Sequence, residues 1–369
     1  MEPWVSAAAI AVGVMGVMAF TITWWVRSRR RQQTHAGYEG LITRLRTSYT
    51  SLTTGIGALE AGDYPRALEI GTQLLERPQI SPYPTAAIHG LIGAAALELG
   101  QFKTASHHLS AAVASSGRGE LLASRSTLLR QLAVADLQRC DHAGAAELAN
   151  KAKNATIDVD EKVAAIRIAA LAHLVAGDRI AAADAVNEAV ELATDKRHRA
   201  GVDWLRGRIA AAVGDLDEAA ELLVGAQRVF LDAGLSSEAA GIVIDIADLA
   251  ERRNQPARAV ALFRDAATAV TERPHAHHVR GLITARLAGA EANAGDLEAA
   301  RLHAKEAGDA FAVCETDAGE MFLAWADARI AGAAGNLEAE AHAYATAIDK
   351  AVWLDAWYWR DRIALEIET

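Results

Sequence analysis

The chain has 369 residues, of which 51% are hydrophobic but only 5% aromatic, because 84 of them are alanine. Such a composition favours closely packed helices. Seven prolines without a Gly/Pro period exclude a collagen-like or low-complexity chain, and two cysteines exclude a disulfide scaffold or a four-cysteine zinc site. The formal charge is −10, and without residues 1–31 (four Arg, one Glu) it is 33 minus 46, or −13, which disfavours nucleic acid as a partner.

The first element is a membrane anchor. Trp4 to Val26 is a run of 23 residues without a charge. As a helix it reaches about 34 Å, enough for a hydrocarbon core of about 30 Å. Trp4 and Trp24-Trp25 sit at its two ends, where amphipathic rings prefer the interface, and Arg27, Arg29, Arg30 and Arg31 follow at once. The positive-inside rule predicts a single pass through the inner or plasma membrane, with the N-terminus outside and the bulk cytoplasmic. The alternative, a cleavable signal that leaves the bulk extracytoplasmic, fits less well. A signal's basic residues precede its apolar core, and no small-x-small site separates Val26 from the arginines. Ala9 and Gly13 have a small-xxx-small spacing that packs anchors together, and that also arises by chance in so alanine-rich a span.

After this anchor and its basic flank (1–31) comes a polar linker, 32–37, and then a repeat array over 38–350. A turn signature, Gly-Asp or a close variant with Ala five residues after the Gly, marks it. The turns stand at Gly62, Gly100, Cys140, Gly177, Gly214, Asn254, Gly295 and Gly335, spaced by 38, 40, 37, 37, 40, 41 and 40 residues. Twelve residues after each turn stand Leu74, Ala112, Ala152, Ala189, Ala226, Ala266, Ala307 and Ala347. Seven residues before each stand Gly55, Gly93, Ala133, Ala170, Gly207, Ala247, Ala288 and Ala328. Each unit reads as helix, turn, helix: Gly ends the first helix and Asp or Asn caps the second. The small columns let the two helices approach. One such pair cannot bury its apolar face alone, so neighbours stack into a solenoid.

These columns resemble the tetratricopeptide repeat, most literally at Gly55…Gly62-Asp63-Tyr64…Ala67. The mean period of 39 residues exceeds the usual 34 of that repeat and is similar to the longer-helix variety of bacterial signalling proteins. Leu or Val often replaces its second-helix aromatic, and Glu340 stands where Ala is expected. The resemblance implies an all-α protein: a right-handed α-solenoid of about eight helix pairs. A capping helix over 351–369 carries Trp353, Trp357, Tyr358 and Trp359. Those rings either seal the last core or form an aromatic docking patch.

The resemblance further implies that first helices line a concave face holding a peptide or partner helix. It puts Arg130, Arg167, Trp204, Arg208, Trp325 and Arg329 on or near that groove, more basic than the outside and suited to an acidic peptide. The alternative is that both tryptophans are inter-repeat core and the arginines pair with neighbouring glutamates. No catalytic, cofactor or metal site is expected. His275-Ala276-His277-His278 reads as a solvated loop, the adjacent His107 and His108 face apart on a helix, and neither phosphate-loop nor dinucleotide fingerprints occur. The chain thus reads as a membrane-tethered scaffold or adaptor rather than an enzyme. Alternatives are a self-associating structural component of a larger membrane complex, or a regulatory sensor arm.

Overall fold

The computed structural model describes residues 50–76, 82–115, 123–271 and 276–367. The apolar span 4–26 and the linker 32–37 lie outside the described residues. Among the described residues no helix is long and apolar enough to cross a membrane. From Thr54 onward the repeat array forms one compact unit.

All regular structure among the described residues is helical. The first units contribute α1 (50–60), α2 (Tyr64–Leu75), α3 (Pro82–Glu98) and α4 (Phe102–Ser115). Next come α5 (Arg125–Gln138), α6 (His142–Asn154), α7 (Val159–Val175) and α8 (Arg179–Leu192). They are followed by α9 (Lys196–Val213), α10 (Leu216–Asp232), α11 (Ser236–Arg252) and α12 (Pro256–Thr271). The last are α13 (His277–Asn293), α14 (Leu297–Phe311), α15 (Ala318–Ala333), α16 (Leu337–Trp353) and α17 (Trp357–Ile367). Eight consecutive pairs, α1/α2 to α15/α16, therefore precede one unpaired helix. The second helix of the eighth pair runs through Trp353, so the terminal element starts at Trp357 rather than at residue 351.

The turn signature is a backbone instruction. All eight turn residues have positive φ, from 55° at Asn254 to 92° at Gly214, with Cys140 at 63°. In six turns the next residue, Asp63, Asp141, Asp178, Asp215, Asp296 or Asn336, accepts a hydrogen bond from a backbone N–H three residues on. That bond satisfies an orphan donor of the second helix.

The small columns are the seams. Ala67, Ala105, Ala145, Ala182, Ala219, Ala259 and Ala300 are completely buried. A Cβ added at Gly93 would lie 2.6 Å from Leu109 Cγ, and one at Gly207 would lie 2.8 Å from Leu223 Cγ. The leucine of the second helix thus occupies the space a side chain on the first would need.

Consecutive first helices also touch, so α3, α5, α7, α9 and α11 form one continuous layer, and α13 packs on α15 in the same way. The array curls until its early turns meet its last units. Glu315 N–H donates to Gly100 O at 3.1 Å. Its carboxylate accepts from Lys103 N at 2.8 Å and Thr104 N at 3.0 Å. Gln101 stands in that turn where six others carry Asp or Asn, so a carboxylate more than two hundred residues away caps α4. Val175 of α7 is buried with Phe311, Trp325, Leu354 and Ile363, and Cys140 and Leu171 pack on the same cluster.

Candidate binding groove

The inner layer carries a row of buried charges. On α11, Asp245, Asp248 and Glu251 are spaced i, i+3, i+6 and so share one helix face. Arginines arrive from the flanking first helices: Arg208 on α9, Arg286 on α13 and Arg329 on α15. Arg208 Nε lies 3.5 Å from Asp245 Oδ1. Arg286 Nη2 donates to Asp248 at 2.7 Å and also to Glu251. Arg329 Nη1 donates to Glu251 Oε1 at 2.7 Å. Arg286 and Arg329 stack over the Trp325 ring, 4.2 and 4.6 Å from its centroid.

Helix α17 is seated on this row. Arg362 Nε donates to Asp248 Oδ1 at 3.0 Å, and Arg362 Nη1 to Glu366 Oε1 at 2.7 Å. Glu366 in turn accepts from Arg329 Nε and Trp325 Nε1, both at 2.9 Å, and from Tyr344 OH at 3.3 Å. Trp359 packs edge-on against Phe322 at 5.0 Å, and Arg208 lies 5.9 Å from the Tyr358 ring centre. Arg179, at the start of α8, pairs with Asp361 at 3.1 Å. An 11-residue helix is about 16 Å long. Packed neighbours stand about 8–10 Å apart, so α17 reaches α7, α9, α11, α13 and α15 because the layer curves around it.

The charges tune one another. Burial alone would raise the Asp248 carboxyl, but Arg362 and Arg286 hold it well below the usual carboxylate range. Burial likewise opposes ionisation of Glu366, yet Arg329 and Arg362 bring it down to about 2. Arg329 stays charged because Glu251 and Glu366 outweigh its desolvation. Asp245 is the exception, since burial lifts its carboxyl against the pull of Arg208 and Trp204. Tyr358 is pushed up to about 12 by burial and by Asp248.

Four of the six residues expected at the groove gather here: Trp204, Arg208, Trp325 and Arg329. Trp204 donates through Nε1 to Asp245. Trp325 is 1% exposed and belongs to the inter-repeat core, as in the alternative reading of that ring. The other two do not join them. Arg130 donates to Thr127 Oγ1 at 3.2 Å, with Glu161 at 4.0 Å. Arg167 lies over Gly201, where an added Cβ would sit 2.5 Å from its Cζ, so it fills the α7–α9 gap. The expected basic groove is corrected: Asp245, Asp248 and Glu251 balance Arg208, Arg286 and Arg329 charge for charge. Basic and aromatic residues alone do not reveal that acidic row. Its signal was available, three carboxylates at helical spacing in the middle of a helix rather than in its first turn.

The histidines also need revision. His277 and His278 open α13 instead of lying in a solvated loop, and His275 is outside the described residues. His278 sits between Phe102, at 5.1 Å, and Phe311, at 6.2 Å, and burial pushes it down to about 4. His108 faces His89, Nδ1 to Nδ1 at 2.8 Å, and burial lowers it to about 4 as well. Among the described residues one trio has metal-like spacing, Asp160, Asp195 and His198. Asp195 already caps α9 through the backbone N–H groups of Arg197 and His198.

No protein-family model and no curated protein sequence matches the chain. Solved structures do. The apo quorum sensor NprR from B. thuringiensis is similar over 92% of this chain and 99% of its own, at 16% identity and a TM-score of 0.57. A Rap protein complexed with competence and sporulation factor is similar over 88% and 98%, at 12% identity and a TM-score of 0.55. Apo RapI is similar over 72% and 97%, at 12% identity and a TM-score of 0.53. The chain shares the tetratricopeptide-like solenoid fold of these proteins.

Proposed function

We propose that this chain is a non-enzymatic binding protein whose concave face holds a helical segment of a protein partner. The observation that carries this reading is the seat itself. Three arginines and three carboxylates on four first helices, with Trp204 and Trp325 among them, already grip one helix through hydrogen bonds at both ends of its charged face. Charged rows of this kind give register and specificity more than raw affinity. That one neighbour of the same fold is a quorum sensor and another was solved with a bound factor supports a recognition role.

The N-terminal run 4–26 then acts as a tether, which keeps the array at the cytoplasmic face and raises the effective concentration of whatever it holds. The test is site-specific photo-crosslinking from Arg208 and Trp204 positions in native membranes, with and without Arg329→Gln. A discrete adduct that disappears in the variant is the expected result. Adducts that ignore Arg329→Gln, in a chain with unchanged circular dichroism, would move binding off the concave face. A reporter fused at Thr369 tests the topology, and periplasmic activity there would overturn it.

A further inference from the structure

The groove and its present occupant differ in how they are built. The repeat seams are Ala against Leu, continuous and apolar. Helix α17 is attached by a short turn through Asp355, at φ 49°, and is held mainly by ion pairs and ring edges, with one aliphatic side chain, Ile363, buried beside Phe311, Trp325 and Leu354. Its contribution is a zwitterion: Arg362 goes to the acidic side of the row and Glu366 to the basic side. Withdrawing it leaves each groove charge a partner, because Asp248 keeps Arg286, Glu251 keeps both Arg286 and Arg329, and Arg208 keeps Asp245. The row is therefore a self-consistent surface without α17 and a complementary one with it.

We propose that α17 is an exchangeable, resident occupant of the groove, standing where a partner helix of the same chemistry binds. That chemistry is an aromatic pair followed three and seven positions after its second ring by an arginine and a glutamate, as in Tyr358-Trp359…Arg362…Glu366. Partner and tail compete, so binding requires the tail to leave. Leaving also breaks the Arg179–Asp361 pair and removes Trp357 from beside Gly177, where an added Cβ would lie 2.8 Å from Trp357 Cβ. Occupancy of the groove is thereby coupled to how tightly the fourth turn is held to the end of the array.

The proposal rests on the concave-face reading above, and the test separates the two. A fluorescent peptide of residues 356–367 is titrated into the full chain, into Arg362→Gln/Glu366→Gln, and into that double variant with Asp248→Asn and Arg329→Gln added. The double variant should bind at least about tenfold tighter than the wild type, and the added groove changes should abolish binding. Equal affinity for wild type and double variant, lost on changing the groove, would keep the groove and overturn the competing tail. Binding indifferent to Asp248 and Arg329 would overturn both readings. Concentration-dependent dimers of the wild type that vanish in the double variant would make a second copy's tail the occupant and overturn competition in cis. Should the double variant fail to fold, hydrogen exchange of the wild type decides. Amides 357–367 exchanging by local opening, well before the seams, support release; exchange only with global unfolding overturns it.

Discussion

The α9/α10 seam and the α17 seat share helix α9 yet use opposite chemistry. In the seam Leu223 fills the space over Gly207, flanked by Ala219 and Ala226, and these three second-helix side chains are at most 2% exposed. In the seat Arg362 is 6% exposed and most contacts are directional, with Ile363 the buried aliphatic side chain of α17. Apolar burial is non-directional and adds stability wherever shapes fit. Buried ion pairs are close to neutral in stability, because desolvation offsets attraction, but they penalise any wrong partner. The seam therefore builds the array, and the seat fixes the position and register of α17.

The largest expected effect comes from attacking the seam. Leu223→Ala should lower stability by about 3 kcal/mol through the cavity it leaves. Chemical denaturation should show this, with faster hydrogen exchange spreading through α9 to α12. A loss below about 1 kcal/mol would mean that the stability of the array comes from elsewhere than this seam.

Acid separates the seat from the contact of His278 with Phe102 and Phe311, because the two fail in different pH windows. His278 is held near 4 in the fold against about 6.5 unfolded, so the unfolded chain takes up a proton first as pH falls. Stability should drop by about 2 kcal/mol between pH 7 and 5. His278→Gln should make that part of the thermal-melt profile shallower, leaving the share of His108, which burial also lowers to about 4. Glu366, depressed to about 2, works the other way: its contribution is present above the ordinary carboxylate range and is lost only as pH falls from about 4.5 toward 2. A profile flat from pH 7 to 5 would remove His278 from the Phe102 contact.

Loosening the seat alone should be milder. Arg362→Ala leaves Asp248 with Arg286 and Glu366 with Arg329, so we expect about 1–2 kcal/mol rather than the 3–5 of a fully orphaned charge. Exchange should accelerate in α17 and stay slow in the seams. Uniform acceleration would show that tail and array are one cooperative body.

The smallest effect probes the remote cap. Glu315→Ala should remove about 1 kcal/mol by orphaning the Lys103 and Thr104 N–H groups. Gln101→Asp in that background restores a local cap of the kind the other turns use. Recovery of thermal stability by this second change would separate capping from the long-range contact, whereas no recovery would give the whole effect to that contact.

Much of the array was legible because its instructions are local. A residue that tolerates positive φ, followed by Asp or Asn, ends one helix and starts another within six residues. Alanine columns at fixed offsets then report which faces touch. The eight turns from Gly62 to Gly335 and the seven fully buried second-helix alanines follow from those patterns alone, and so does the all-α class.

The groove was legible only in half. Trp204, Arg208, Trp325 and Arg329 could be placed by their position in a first helix. Their partners could not, since Asp248 meets Arg362 across 114 residues and Arg329 meets Glu251 across 78. Nor could Gln101 announce that Glu315 would replace its missing cap. Small rotations between successive helix pairs accumulate into curvature. Where that curvature brings turn two against unit seven, and the tail into the groove, depends on the sum of all the packing angles. Each helix and turn is written in its own few residues; the contact of Glu315 with the second turn and the seating of α17 exist only once every seam has set its angle.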